Sequence, residues 1–65
     1  MNEIMDEIHR AMNIAATIGA SLEDIEFHKF GNDEIGETIW TVTNHRTDKI
    51  YYVLELFTGD FELMS

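Results

Sequence analysis

Carboxylates are the side chains with which this chain of 65 residues could do chemistry. Thirteen Asp and Glu stand against four Lys and Arg, which gives a formal net charge of −9. Most of the acidic residues fall into four sets: Glu3, Asp6 and Glu7; Glu23, Asp24 and Glu26; Asp33, Glu34 and Glu37; Asp60 and Glu62. Because like charges on a small domain oppose its stability, such sets favour a role in binding Arg and Lys side chains of a partner.

Catalytic and metal-binding chemistry is not predicted. Glu26 and His28 would share one face of a strand, but we interpret them as a surface pair. The acidic loop at 33–37 lacks the length and alternating ligand spacing of a calcium-binding loop. The chain has no Cys, and 65 residues leave little room for a substrate cleft. The sequence therefore predicts no enzyme, no cofactor and no metal site.

The periodicity of apolar residues predicts the elements that position the carboxylates. A helix over residues 2–18 is expected to bury one stripe and to leave Arg10 on the outside; the stripe comprises Ile4, Ile8, Ala11, Ala15 and Ile18. Alternation and β-branched or aromatic content predict strands at about 25–30, 37–43, 49–57 and 60–64. The predicted fold class is α+β: a single domain over 1–65, with an N-terminal helix on one face of an antiparallel meander of three to four strands.

The assumed turns set the predicted strand register. A loop at 44–48, followed by a tight turn at Thr58 and Gly59, gives these opposed pairs: Val42 with Ile50, Trp40 with Tyr52, Thr38 with Leu54, Leu54 with Leu63, and Glu55 with Glu62. The sheet face away from the helix would then expose four apolar side chains: Ile39, Tyr51, Val53 and Phe57. An exposed apolar face of this kind is typical of an interface.

Charge and size together favour a small inhibitor or decoy that presents carboxylates in place of nucleic-acid phosphates. The expected partner is a basic, nucleic-acid-binding protein, such as a nuclease, a transcription factor or a CRISPR-type defence complex, in the style of DNA mimics from phages and mobile elements. The predicted contacts are acidic residues at one end of the sheet, with two apolar anchors: Glu23, Asp24, Glu26, Asp33, Glu34 and Glu37, then Tyr51 and Phe57.

The sequence also fits two alternative hypotheses of function. One is a structural or regulatory homo-oligomer, in its simplest form a homodimer through the outer sheet face. The other is an antitoxin or immunity-type protein. The negative charge argues against direct binding to nucleic acid or to an anionic membrane. The lack of Cys and the acidic first residues favour a cytoplasmic location, the host cytoplasm if the protein is phage-encoded.

Overall fold

A computed structural model describes residues 3–64 of the chain, and the side chains of residues 6–64. One helix packs on a four-stranded antiparallel sheet whose strands lie in sequence order, which confirms the predicted α+β class. The elements are α1 (Glu3–Ile18), a short 3-10 turn (Leu22–Asp24), β1 (Ile25–Asn32), β2 (Thr38–Asn44), β3 (Lys49–Glu55) and β4 (Phe61–Leu63). Residue 2, where the sequence places the start of the helix, lies outside the described range.

The strand bounds differ by two residues at β1, which continues to Asn32 instead of ending at Phe30, and at β3, which ends at Glu55 instead of residue 57. A bulge between Lys29 and Gly31 shifts the pairing with β2, so the ladder resumes beyond the glycine. A bulge places an extra residue in one strand of a pair without ending the ladder. Phe30 is that extra residue, and it matters for the outer face described below.

The buried face of α1 is rotated relative to the predicted stripe. Ile14, which the prediction omitted, is fully buried, whereas Ile8 remains 43% exposed. Arg10, predicted to lie outside, instead reaches the sheet. Ala15 of the predicted stripe is buried as expected. The prediction was wrong for Ile8 and Arg10 because a period of 3.6 residues fits two neighbouring faces of an Ile- and Ala-rich helix. The predicted place of Ile4 falls outside the described side chains.

The core joins the helix to the two central strands. Three fully buried side chains form its centre: Ile14 of α1, Val42 of β2 and Val53 of β3. Partly buried apolar residues surround them, namely Ile18, Ile25, Phe27, Trp40, Tyr51 and Phe61. Their burial removes apolar surface from water, which is the main favourable term in folding a chain of this size.

The predicted register between β2 and β3 is wrong by one residue. Val42 lies opposite Tyr51, and Trp40 lies opposite Val53. The cause is the turn: Asn44 pairs with Lys49, so only residues 45–48 are left unpaired. A shift of one residue moves every side chain of a strand to the other face. Val53 and Tyr51 therefore face the helix, and the intervening side chains of β3 face away from it.

The register of the last hairpin is also shifted by one residue. Glu55 lies opposite Phe61, and Leu54 lies opposite Glu62, so the expected repulsion between Glu55 and Glu62 does not arise. Glu55 faces the helix, where its Oε1 accepts hydrogen bonds from Arg10 Nε at 2.8 Å and from Trp40 Nε1 at 2.9 Å. The Arg10 guanidinium also lies 5.1 Å from the centre of the Trp40 ring. This cluster fixes the helix against the sheet beside the core.

Ile14→Val is expected to reduce the free energy of unfolding by about 1 kcal/mol, because it removes a methylene group from a fully buried site. Urea denaturation of the purified protein measures the change. The matched variant Ile8→Val makes the same chemical change at a site that is 43% exposed, and we expect it to alter stability by less than about 0.5 kcal/mol. Equal losses in the two variants would contradict the helix face described above.

Candidate protein-binding surface

The structure separates the predicted contact residues into two groups at opposite ends of the sheet. Glu23, Asp24 and Glu26 lie where β1 begins, beside the β2–β3 turn, and His45 N donates to Asp24 O at 2.8 Å. The loop at 33–37 follows the other end of β1. Glu26 and Asp33 are seven residues apart on or next to an extended strand, so about 23 Å separates them. The prediction that one end of the sheet carries both groups was wrong.

The loop at 33–37 is held by its own polar groups. Asp33 Oδ1 accepts hydrogen bonds from Ile35 N at 3.1 Å and from Glu37 N at 2.8 Å. Asn32 Nδ2 donates to Gly36 O at 3.0 Å. Gly36 has a φ of 93°, a conformation that favours glycine because it has no Cβ. Hydrogen bonds within the loop therefore fix its backbone conformation.

The β3–β4 turn at 56–60 packs directly against that loop. Glu37, only 8% exposed, accepts a hydrogen bond through Oε2 from Phe57 N at 2.9 Å. A Cβ placed on Gly36 would lie 3.6 Å from Phe57 Cζ, so the Phe57 ring rests on the glycine. Residues 33–37 and 56–60 thus form one continuous surface, which we call the two-loop surface. Glu37 was predicted as a partner contact, but the structure gives its carboxylate an internal role.

The two-loop surface combines uncompensated negative charge with exposed apolar side chains. Its carboxylates are Asp33, Glu34, Glu37 and Asp60, and its sequence contains no Lys or Arg. Ile35 is 68% exposed and Phe57 is 71% exposed. Exposed apolar groups beside charged ones are the composition of an interface core and its rim.

The opposite end of the sheet is different because cationic side chains and histidines lie among its carboxylates. Arg46 and Lys49 lie in or beside the β2–β3 turn. Glu26 Oε2 accepts a hydrogen bond from His28 Nε2 at 2.9 Å, and its Oε1 lies 3.7 Å from His45 Nε2. The hydrogen bond and the charge of His28 lower the pKa of Glu26 below its usual value, and His45 adds to this effect. Sequence spacing could not reveal the approach of His45, which depends on the turn.

The two predicted apolar anchors have different positions. Tyr51 was expected on the outer face, but it faces the helix and packs against the core. Phe57 was also expected on the outer face, and it lies instead at the two-loop surface, where it remains exposed. Ile35 and Asp60 were not among the contacts predicted from the sequence. The signal for Ile35 was an isolated apolar residue within a polar loop flanked by glycines.

Glu37→Ala is expected to lower the free energy of unfolding by about 1 kcal/mol and to speed hydrogen exchange of the Phe57 amide, because that amide loses its acceptor. Exchange measured by NMR, together with urea denaturation, tests both effects. Glu34→Ala removes a neighbouring exposed carboxylate and should leave the Phe57 amide unchanged. An unchanged exchange rate in Glu37→Ala would show that the two loops are not joined in this way.

The lowered pKa of Glu26 predicts that the stability of the protein depends slightly on pH. Since the pKa of Glu26 is lowered in the folded state, its stabilising contribution is present above the unfolded value of about 4.3 and is lost as the pH falls through the folded value. His28→Ala should raise the pKa of Glu26, which a carboxyl-carbon NMR titration measures. His9→Ala, a histidine change on the helix, serves as the control and should leave the Glu26 titration in place.

Among residues 3–64, no group of three or more His, Asp and Glu side chains has the geometry of a metal site. Within the same range, no helix is long and apolar enough to cross a bilayer. Comparisons of the chain with protein-family models, with curated protein sequences and with solved structures found no match.

Proposed function

We propose that this protein is a small inhibitor or decoy that binds a basic, nucleic-acid-binding protein through the two-loop surface. The observation that carries the proposal is the pairing of uncompensated carboxylates with the exposed side chains of Ile35 and Phe57.

The carboxylates of the two-loop surface would determine which partner is recognised and how fast it associates. Carboxylates bind the same Arg and Lys side chains that hold phosphates on a nucleic-acid-binding protein, so they would compete with its natural ligand. Complementary charge also steers the encounter and raises the association rate, more at low salt than at high salt. The remaining cations do not oppose this approach, since Lys29, Arg46 and Lys49 lie outside the two loops and Arg10 is paired with Glu55.

The exposed apolar side chains would determine the lifetime of the complex. Aromatic and large apolar side chains at the centre of an interface supply most of its binding energy once water is excluded. Phe57 is held at its backbone by Glu37 and at its ring by Gly36, and Ile35 lies in a loop that Asp33 orders. Because both anchors are ordered in the free protein, little conformational entropy is lost when a partner covers them.

The first test is affinity capture from a cell lysate at about 0.1 M and about 1 M salt, where the Debye length falls from about 10 to about 3 Å. Bound proteins are identified by mass spectrometry. We expect a nucleic-acid-binding protein that is retained at low salt, released at high salt and displaced by excess DNA or RNA. Recovery of copies of this chain alone would contradict the proposal.

A matched pair of charge reversals then tests the location of the surface. Glu34→Lys and Glu23→Lys change the net charge equally, at exposed sites on opposite ends of the sheet. With the captured protein as ligand, we expect Glu34→Lys to slow association roughly fivefold at low salt, and Glu23→Lys to slow it by less than about twofold. Stopped-flow or surface-plasmon-resonance kinetics measure both. Equal effects would place the binding surface elsewhere.

A further inference from the structure

The outer face of the sheet holds an apolar pocket of about 290 Å³ that the two-loop surface does not include. Its lining consists of Phe30, Ile39, Tyr52 and Met64. These residues come from or directly follow the four strands, so the pocket crosses the whole sheet. Phe30 is 64% exposed and Met64 is 50% exposed, which leaves the pocket open to solvent.

The β1 bulge and the observed strand register create this pocket. The bulge adds Phe30 to the outer face, where its ring lies 5.3 Å from the ring of Tyr52 in an edge-to-face arrangement. Tyr52 points outward because the β2–β3 register places it opposite Thr41. Met64 follows β4 and donates its backbone N–H to Tyr52 O at 2.8 Å, which places its side chain over the same row.

Charge argues against a second copy of this chain as the occupant. Two copies would bring together two chains of net charge −9, which repel each other.

The pocket also does not suit a cofactor. Pockets for small molecules usually measure about 300 to 1,000 Å³ and contain several placed polar groups. This one is at the lower limit of size, and three of its four lining residues are Phe, Ile and Met. Its apolar lining and its lack of placed polar groups suit an apolar side chain of a protein instead.

We infer that the pocket receives an apolar side chain of the same basic partner, next to the Arg and Lys residues that bind the two-loop surface. The inference depends on the proposed function. It is supported by continuity, since Phe30 and Ile39 lie on the two strands that the loop at 33–37 connects. Together, the two-loop surface and the pocket provide a larger interface than either alone, closer to the area that a stable complex needs.

Two synthetic peptides of equal charge provide the test. One contains only Lys, Arg and Gly, and the other has a single Leu in place of the central Gly. Titration by NMR should show that both peptides shift the amides of residues 33–37 and 56–60, and that only the Leu peptide also shifts Phe30, Ile39 and Tyr52. We expect the Leu peptide to bind roughly tenfold more tightly.

Variants that leave the net charge unchanged test whether the pocket causes the difference in affinity between the two peptides. Phe30→Ser and Met64→Ser should each remove the advantage of the Leu peptide and leave binding of the Gly peptide unchanged. Two variants are used so that a folding defect in one does not decide the result. Ile50→Ser is the matched control, since Ile50 is 60% exposed on the same face but does not line the pocket. It should preserve the tenfold difference.

The outcomes separate the inference from the proposed function. Equal affinity of the two peptides, with shifts at the two-loop surface, would overturn the pocket inference alone. Failure of either peptide to bind, or binding that Glu34→Lys does not weaken, would count against the proposed function itself. A dimer in analytical ultracentrifugation that Phe30→Ser dissociates would show that a second copy occupies the pocket, and would overturn the inference.

Discussion

The register between β2 and β3 determines which side chains of the sheet meet the helix. Asn44 pairs with Lys49, and the four residues between them close the turn with Asp48 at a φ of 61°. Asp tolerates this left-handed conformation better than most residues do. Asn44 is itself buried, and its Oδ1 accepts a hydrogen bond from Arg46 N at 2.9 Å, which orders the start of the turn. A turn with one more unpaired residue would exchange the two faces of β3.

This register decides both what is buried and what is available to a partner. It places Val53 in the core beside Ile14, and it brings Glu55 to Arg10 and Trp40 on the helix side. The same register turns Tyr52 outward, where Phe30 of the bulge meets it. The alternation of side chains along β3 thus serves both faces of the sheet. One face provides the apolar contacts that hold the helix, and the other face provides the apolar pocket. In a chain this small, few residues remain whose positions are independent of the sheet register.

Sequence patterns predicted the elements better than the relations between them. The period of apolar residues identified α1, and the β-branched and aromatic runs identified the strands, because these signals are local. The length of the β2–β3 turn could not be predicted from the local sequence, since it depends on whether Asn44 pairs with Lys49 in the sheet. For the same reason, the prediction placed Tyr51 on the wrong face. It also placed Glu26 and Asp33 at the same end of the sheet, although the predicted strand at 25–30 itself separates them. The bulge that exposes Phe30 had no more specific signal than the neighbouring glycine.

The net charge of −9 overstates the number of carboxylates that a partner could meet. Glu55 is occupied by Arg10 and Trp40, Glu37 by the Phe57 amide, and Asp33 by two amides of its own loop. These carboxylates contribute to folding, because each satisfies N–H groups and thereby positions a loop or the helix. Order in the two loops therefore comes from acidic residues as much as from glycine. What the fold leaves exposed at the two-loop surface is two carboxylates, those of Glu34 and Asp60, beside the apolar side chains of Ile35 and Phe57.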